Sequence, residues 1–218
     1  MIKLYGHPFS RAHRVLWMLK EQALPFEHEP IDFRNRGTHV PEYLQINPNG
    51  RVPALVDGDL VLFESLAINL YLARQYGGVI APCSGAEDAL ATQWSFWGAN
   101  EIEHTLLFTA ANLWLFPPAD RRPEQAALGL RKLDRPFKVI DAQLARQPFL
   151  LGDRFTVADL NVSAILSLAA LAGVDLSAYP ALKTWLETCL ERPAAADWKP
   201  IKFTVNRPND ELFLTMFL

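Results

Sequence analysis

The chain has 218 residues, half of them apolar, which leaves room for one large or two small domains with a sizeable core. Its net charge of −3 with scattered basic residues gives no nucleic-acid footprint. Two distant cysteines, Cys83 and Cys189, and five scattered histidines form no redox pair or ligand cluster, so no metal is expected.

From Met1 the chain runs directly into Ile2-Lys3-Leu4-Tyr5, without an apolar signal core. That run predicts a strand, and Gly6-His7-Pro8-Phe9 a loop. Ser10 then caps a helix with Val15, Leu16 and Leu19 on its apolar side. After Pro25, residues 26–31 predict a second strand, 34–38 a polar loop and 40–46 a short helix.

The next stretch carries the densest signals. Asn47-Pro48-Asn49-Gly50 is turn chemistry. Residues 54–56 and 60–63 are apolar, β-prone runs, and Asp57-Gly58 between them suits a type I′ hairpin turn. Pro53 lacks an N–H and should open its strand. A cis Val52-Pro53 bond would turn the Val52 amide and carbonyl outward to pair with an extended peptide. Only about 5–6% of X-Pro bonds are cis, so physics alone does not choose it. Ser65 should cap a helix with Leu66, Leu70 and Ala73 at helical spacing. Glu64-Ser65 at that start is either an anion site, built on free N–H groups and the helix dipole, or a plain cap. A peptide-like groove beside a carboxylate-sized anion site suggests a small acidic peptide as ligand. The order β-α-β-α-β-β-α is that of a thioredoxin-like domain.

Gly77-Gly78 ends this helix, and residues 81–85 read as a linker. The second half is all-helical. One long helical pattern covers 87–115 and stops at Pro117-Pro118; another covers 124–147 and should kink or start late at Pro136. Thr156-Val157-Ala158-Asp159 is a capping box with Asp in place of Glu, opening a helix that buries Leu160, Ala164, Ile165 and Leu168. The apolar run 162–174 contains Ser163 and Ser167 and is too short for a bilayer. A helix over 180–190 follows, then a short one to Trp198. The apolar tail 199–218 should pack on the body of the protein. We expect a first domain over 1–80 and a helical domain over 87–218, in a reduced cytoplasmic protein without a membrane anchor.

Asn-Pro-Asn-Gly-Arg-Val-Pro-Ala-Leu followed by Phe-Glu-Ser-Leu-Ala-Ile resembles the glutathione-binding half of cytosolic glutathione transferases. Phe-Leu-Leu-Gly-Asp-Arg-Phe-Thr-Val-Ala-Asp-Leu resembles that family's buried capping motif, which makes Asp159 structural. Ser-Arg-Ala-His-Arg-Val resembles the serine-type theta and phi classes. The resemblance implies glutathione as co-substrate, a small electrophile as acceptor, and a homodimer.

It also assigns residues. Ser10 would stabilise the thiolate, since a free thiol with pKa about 8.5 is only a few per cent ionised at neutral pH. Tyr5 is the rival, because other classes use a tyrosine at the end of the first strand. No cysteine occupies residues 6–12, which argues against the omega and beta classes. Val52, followed by Pro53, would pair its backbone with the cysteinyl residue, while Glu64 and Ser65 would hold the γ-glutamyl end. His39 and Arg51 would reach the glycyl carboxylate, or else are a surface histidine and a solvated turn charge. Glu101, His104, Thr105 and Phe108 share a helical face that either meets the electrophile or is a solvated or dimer-facing stripe. Phe9 and Arg11 flank Ser10 as further acceptor candidates. Disulfide reduction, peroxide reduction, dehalogenation and a non-enzymatic binding module remain the alternatives.

Overall fold

The computed structural model describes residues 1–32 and 36–198. The tail expected to pack on the body lies outside the described residues. The described residues form two compact units, Met1–Pro82 and 83–198.

The first unit is a four-stranded sheet with helices: β1 (Ile2–Tyr5), α1 (Ala12–Glu21), β2 (Phe26–Glu29), a 3-10 turn (Gly37–His39), α2 (Pro41–Leu44), β3 (Ala54–Asp57), β4 (Leu60–Phe63) and α3 (Ser65–Tyr76). The strand order is β2-β1-β3-β4, with β1 and β2 parallel and the other pairs antiparallel. This is the thioredoxin-like arrangement expected. β2 stops two residues earlier than its apolar pattern, because Pro30 has no N–H for the ladder. The hairpin turn also shifts by one residue. Asp57 pairs with Leu60, so the loop is Gly58-Asp59, with Gly58 supplying φ +60°. Asp57 is thereby held at the strand end, where its Oδ2 accepts from Tyr71 Oη (2.9 Å) and Tyr76 Oη (2.5 Å). The second bond pushes the Tyr76 phenol up to about 12.

Register positions the candidate site. Tyr5 at the end of β1 faces Ala54 at the start of β3, and Ala54 faces Phe63 at the end of β4. The segments just outside these three residues (from Gly6, up to Pro53 and from Glu64) therefore leave the sheet at the same end of the strands. α1 and α3 pack together; Gln22 Nε2 on the end of α1 closes off α3 by donating to Gly77 O at 2.7 Å.

The second unit is helical. α4 (Gly85–Trp97) and α5 (His104–Ala110) belong to the long helix expected, but π-wound stretches at Gly98–Glu103 and Ala111–Leu115 interrupt its 3.6-residue period. α6 (Pro123–Leu144) runs through the buried Pro136. Gly129 is required there, since a Cβ would lie 1.9 Å from Thr109 Oγ1 on α5. α7 (Val157–Leu171) is buried on every side over residues 157–167, with Leu168 half-buried, so the apolar run is a core helix. Its polar members are satisfied: Asn161 Nδ2 donates to Ser95 Oγ (2.9 Å), and Ser167 Oγ to Ala164 O (2.8 Å). α8 (Pro180–Leu190) and a 3-10 turn (Pro193–Trp198) complete the unit. No described helix is long and apolar enough to cross a membrane.

Candidate functional site

The loop after β1 is tightly folded on itself. Ser10 Oγ donates to His7 O (2.7 Å) and accepts from Ala12 N (3.1 Å). The helix cap is displaced from the sequence expectation: Arg11 is the N-cap residue, and Ser10 serves the first helical N–H from one position further out. Two histidines close against the loop's backbone, His13 Nδ1 at 2.6 Å from Ser10 O and His28 Nε2 at 2.7 Å from Gly6 O. Phe9 and Arg11 are exposed, and the Phe9 ring lies 5.0 Å from that of His7. Tyr5 instead belongs to the sheet. Its ring meets Tyr43 edge-on at 6.3 Å, and Lys3 Nζ sits 4.9 Å above it.

The Ser10 loop and the proline turn come together at Gly6. A Cβ there would lie 2.6 Å from Ala12 Cβ and 3.3 Å from Val52 Cβ, so only glycine lets the two segments approach this closely. The Val52-Pro53 bond is cis, and Val52 is half-buried. Below it, Tyr43 Oη (2.6 Å) and Asn47 Nδ2 (2.7 Å) both donate to Arg51 O, fixing the turn from its carbonyl. Burial moves the Tyr43 phenol far above its usual range. The Arg51 side chain is exposed. His39 lies against the same turn, its Nε2 being 3.3 Å from the position of a Gly50 Cβ. Its Nδ1 is 2.9 Å from Thr38 Oγ1.

At the third exit, Glu64 is the N-cap residue of α3, with φ +73° and ψ 107°. Few non-glycine residues adopt a positive φ. Ser65, expected as the cap, is the first helical residue. Its side chain turns inward, is 4% exposed and accepts from Arg14 Nη1 at 3.3 Å. The Glu64 side chain makes no capping bond to α3. A helix start with an inward hydroxyl and a guanidinium behind it is suited to an anion.

In the second unit, Glu101 lies in the first π-wound stretch and is ion-paired with Arg135. The stretch changes its angular relation to His104, Thr105 and Phe108, which lie on α5. His104 is exposed, Phe108 is 46% exposed, and the Thr105 carbonyl accepts from Thr109 Oγ1 at 2.7 Å. No group of His, Cys, Asp and Glu that could hold a metal occurs among the described residues. Cys83 is exposed and Cys189 buried, with no disulfide between them.

Two family models match the chain, the glutathione S-transferase N-terminal domain over residues 1–74 and the C-terminal domain over residues 104–193. Glutathione S-transferase 3 of Zea mays is 36% identical over 208 residues, covering 88% of this chain and 90% of that protein. The chain belongs to the glutathione S-transferase family.

It is also similar to the disulfide-bond oxidoreductase YfcG of Escherichia coli, at 31% identity over 89% of this chain and 92% of that protein. A theta class glutathione S-transferase from Xanthomonas axonopodis pv. citri, solved with glutathione bound, superposes with a TM-score of 0.83 at 30% identity. That match covers 90% of this chain and 95% of the other.

Sequence reasoning does not single out Arg14, whose guanidinium lies behind Ser65. A signal is present: Arg14 stands four residues before the buried Met18, a charge on the apolar side of α1.

Proposed function

We propose that the chain is a glutathione transferase in which Ser10 stabilises the thiolate of bound glutathione for attack on a small electrophile. The observation that carries this reading is the convergence at one end of the strands of the Ser10 loop, the Val52-Pro53 turn and the start of α3. Val52 offers backbone groups to the cysteinyl residue. Glu64 and Ser65 take the γ-glutamyl ammonium and carboxylate, and His39 and Arg51 take the glycyl carboxylate. The first unit (1–80) thus binds the peptide. The acceptor candidates beside Ser10 are Phe9 and Arg11; those in the helical domain (87–218) are His104, Thr105, Phe108 and Glu101. Glu101 must leave Arg135 to meet the electrophile.

The Ser10 hydroxyl has one proton, which it donates to His7 O. A thiolate is a stronger acceptor than a neutral carbonyl, because a bond to an ionised partner is roughly twice as strong. The hydroxyl therefore turns from His7 O to sulfur while still accepting from Ala12 N. The start of α1 adds its dipole to the same charge. The sulfur lone pair then forms the bond to the electrophilic atom, and the leaving group departs with its bonding pair.

Ser10→Ala should raise the pKa of bound glutathione by about one to two units, the equivalent of a lost bond to a charged group. Turnover at neutral pH falls and part of it returns at alkaline pH. Thiolate absorbance against pH reads this directly, with Tyr5→Phe as the control. A shift in Tyr5→Phe and none in Ser10→Ala reverses the assignment.

The similarity to YfcG favours a second reading, glutathione-dependent disulfide reduction. A panel of electrophiles and mixed disulfides separates the two by which class turns over faster. Detoxification in a reducing cytoplasm is the setting that fits the transferase reading. A homodimer is its expected assembly, supported by the exposed Leu60, Val61 and Phe63 on β4 and by Phe96 on α4, which is 63% exposed. Light scattering of the parent and of Phe96→Asp tests that.

A further inference from the structure

Arg14 has no part in the mechanism above, yet it is the charged group placed directly behind the anion site. It is 6% exposed, and both its ends are fastened to one face of α3. Its Nη1 donates to Ser65 Oγ at 3.3 Å, and its carbonyl accepts from Asn69 Nδ2 at 3.2 Å. Ser65 and Asn69 stand one helical turn apart, so they present a single contact face.

The consequence lies in the proton of Ser65. Among the described residues, the bond accepted from Arg14 is the only one its side chain makes. A hydroxyl has two acceptor sites and one donor. With a cation on the acceptor side, the hydrogen of this buried hydroxyl is left to donate. It joins the N-terminus of α3, whose dipole favours the same negative charge.

We propose that Arg14 is a positioning residue for the γ-glutamyl α-carboxylate of glutathione. It holds the Ser65 hydroxyl as a donor and sets a buried positive charge behind the helix start. This end of the site then selects a carboxylate over a neutral group. The inference rests on the glutathione reading given above.

The rival role is a plain tie between α1 and α3, and ligand chemistry separates the two. Calorimetry would compare glutathione with the analogue in which hydrogen replaces the γ-glutamyl α-carboxylate (4-aminobutanoyl-cysteinyl-glycine). The proteins are the parent, Arg14→Gln and Arg14→Lys, each with its melting temperature. Arg14→Gln should weaken glutathione about tenfold or more, the effect of a lost charge-assisted contact, and change the analogue by less than about threefold. Arg14→Lys keeps the charge and should recover part of the loss. In turnover, KM for glutathione should rise more than kcat falls.

An equal loss for both ligands, or no loss for glutathione, overturns the proposal. If Arg14→Gln does not fold, Arg14→Lys carries the same comparison: a loss confined to glutathione supports the proposal, and an equal loss or none overturns it. A parent chain that binds neither ligand removes the glutathione reading and this inference with it. Binding that is indifferent to Arg14 removes only the inference.

Discussion

Two helix starts in this molecule look alike in sequence and are opposite in chemistry. α7 opens with Thr156 and Asp159, α3 with Glu64 and Ser65. At α7 the reciprocal cap is complete, and the Asp159 carboxylate accepts from Leu150 N, Thr156 N, Thr156 Oγ1 and Trp185 Nε1 at 2.8–3.0 Å. Both residues are wholly buried, and burial pushes the Asp159 carboxyl up while those four donors pull it down. At α3 the N-cap residue Glu64 makes no side-chain capping bond, is exposed, and has a φ of +73°. One start is closed by a local, buried cap, and the other begins on a strained, exposed residue. Saturated polar groups inside a core hold a fold together. A strained residue at a helix start marks a site.

The largest effect should come from breaking the closed start. Asp159→Ala leaves its four donors without their acceptor inside the core, at about 1–3 kcal/mol per unsatisfied group before relaxation. A net loss of about 3–5 kcal/mol is expected, read as a lowered urea midpoint. Glutathione affinity of the protein that remains folded should be unchanged. A large affinity loss with normal melting would erase the contrast between the two starts.

Breaking the open start should do the reverse with a smaller effect. Ser65→Ala removes one donor from the anion site and should weaken glutathione binding by about 1–3 kcal/mol. Stability should move far less than in Asp159→Ala, because among the described residues Ser65 makes a single side-chain bond, at 3.3 Å. Unchanged affinity by calorimetry would take Ser65 out of the site.

How legible each start was follows from the reach of its contacts. The capping box is local: Thr156 and Asp159 are three residues apart, so spacing alone declares it. The Arg14–Ser65 bond joins residues 51 apart, and no spacing rule reaches that far. The sheet order could be read because each strand is bounded by turn residues nearby. The finer placements could not. The hairpin loop slid by one residue, the cap of α1 moved from Ser10 to Arg11, and two stretches of the long helix wound as π. The motif marked Ser10 as a residue to watch, but not the direction of its proton, which depends on a rotamer that brings Oγ to His7 O.

The smallest effect is also the most telling, because its sign differs from the ordinary one. Glycine in an exposed helix interior costs about 1 kcal/mol relative to a good helix former, so Lys132→Gly on α6 should destabilise by that amount. Glu64 stands at φ +73°, where a non-glycine residue carries about 1–3 kcal/mol of strain and glycine carries almost none. Against that relief stands the extra freedom glycine gives the unfolded chain, about 0.5–1 kcal/mol. Glu64→Gly should therefore leave stability unchanged or raise it by up to about 1 kcal/mol. Glutathione binding should weaken in the same variant, since the carboxylate facing the γ-glutamyl ammonium is gone. Chemical denaturation of both variants, with calorimetry of Glu64→Gly, measures the two halves separately. Destabilisation of Glu64→Gly matching that of Lys132→Gly would mean that Glu64 is not strained for the ligand's sake. The open start of α3 would then differ from that of α7 only in what happens to cover it.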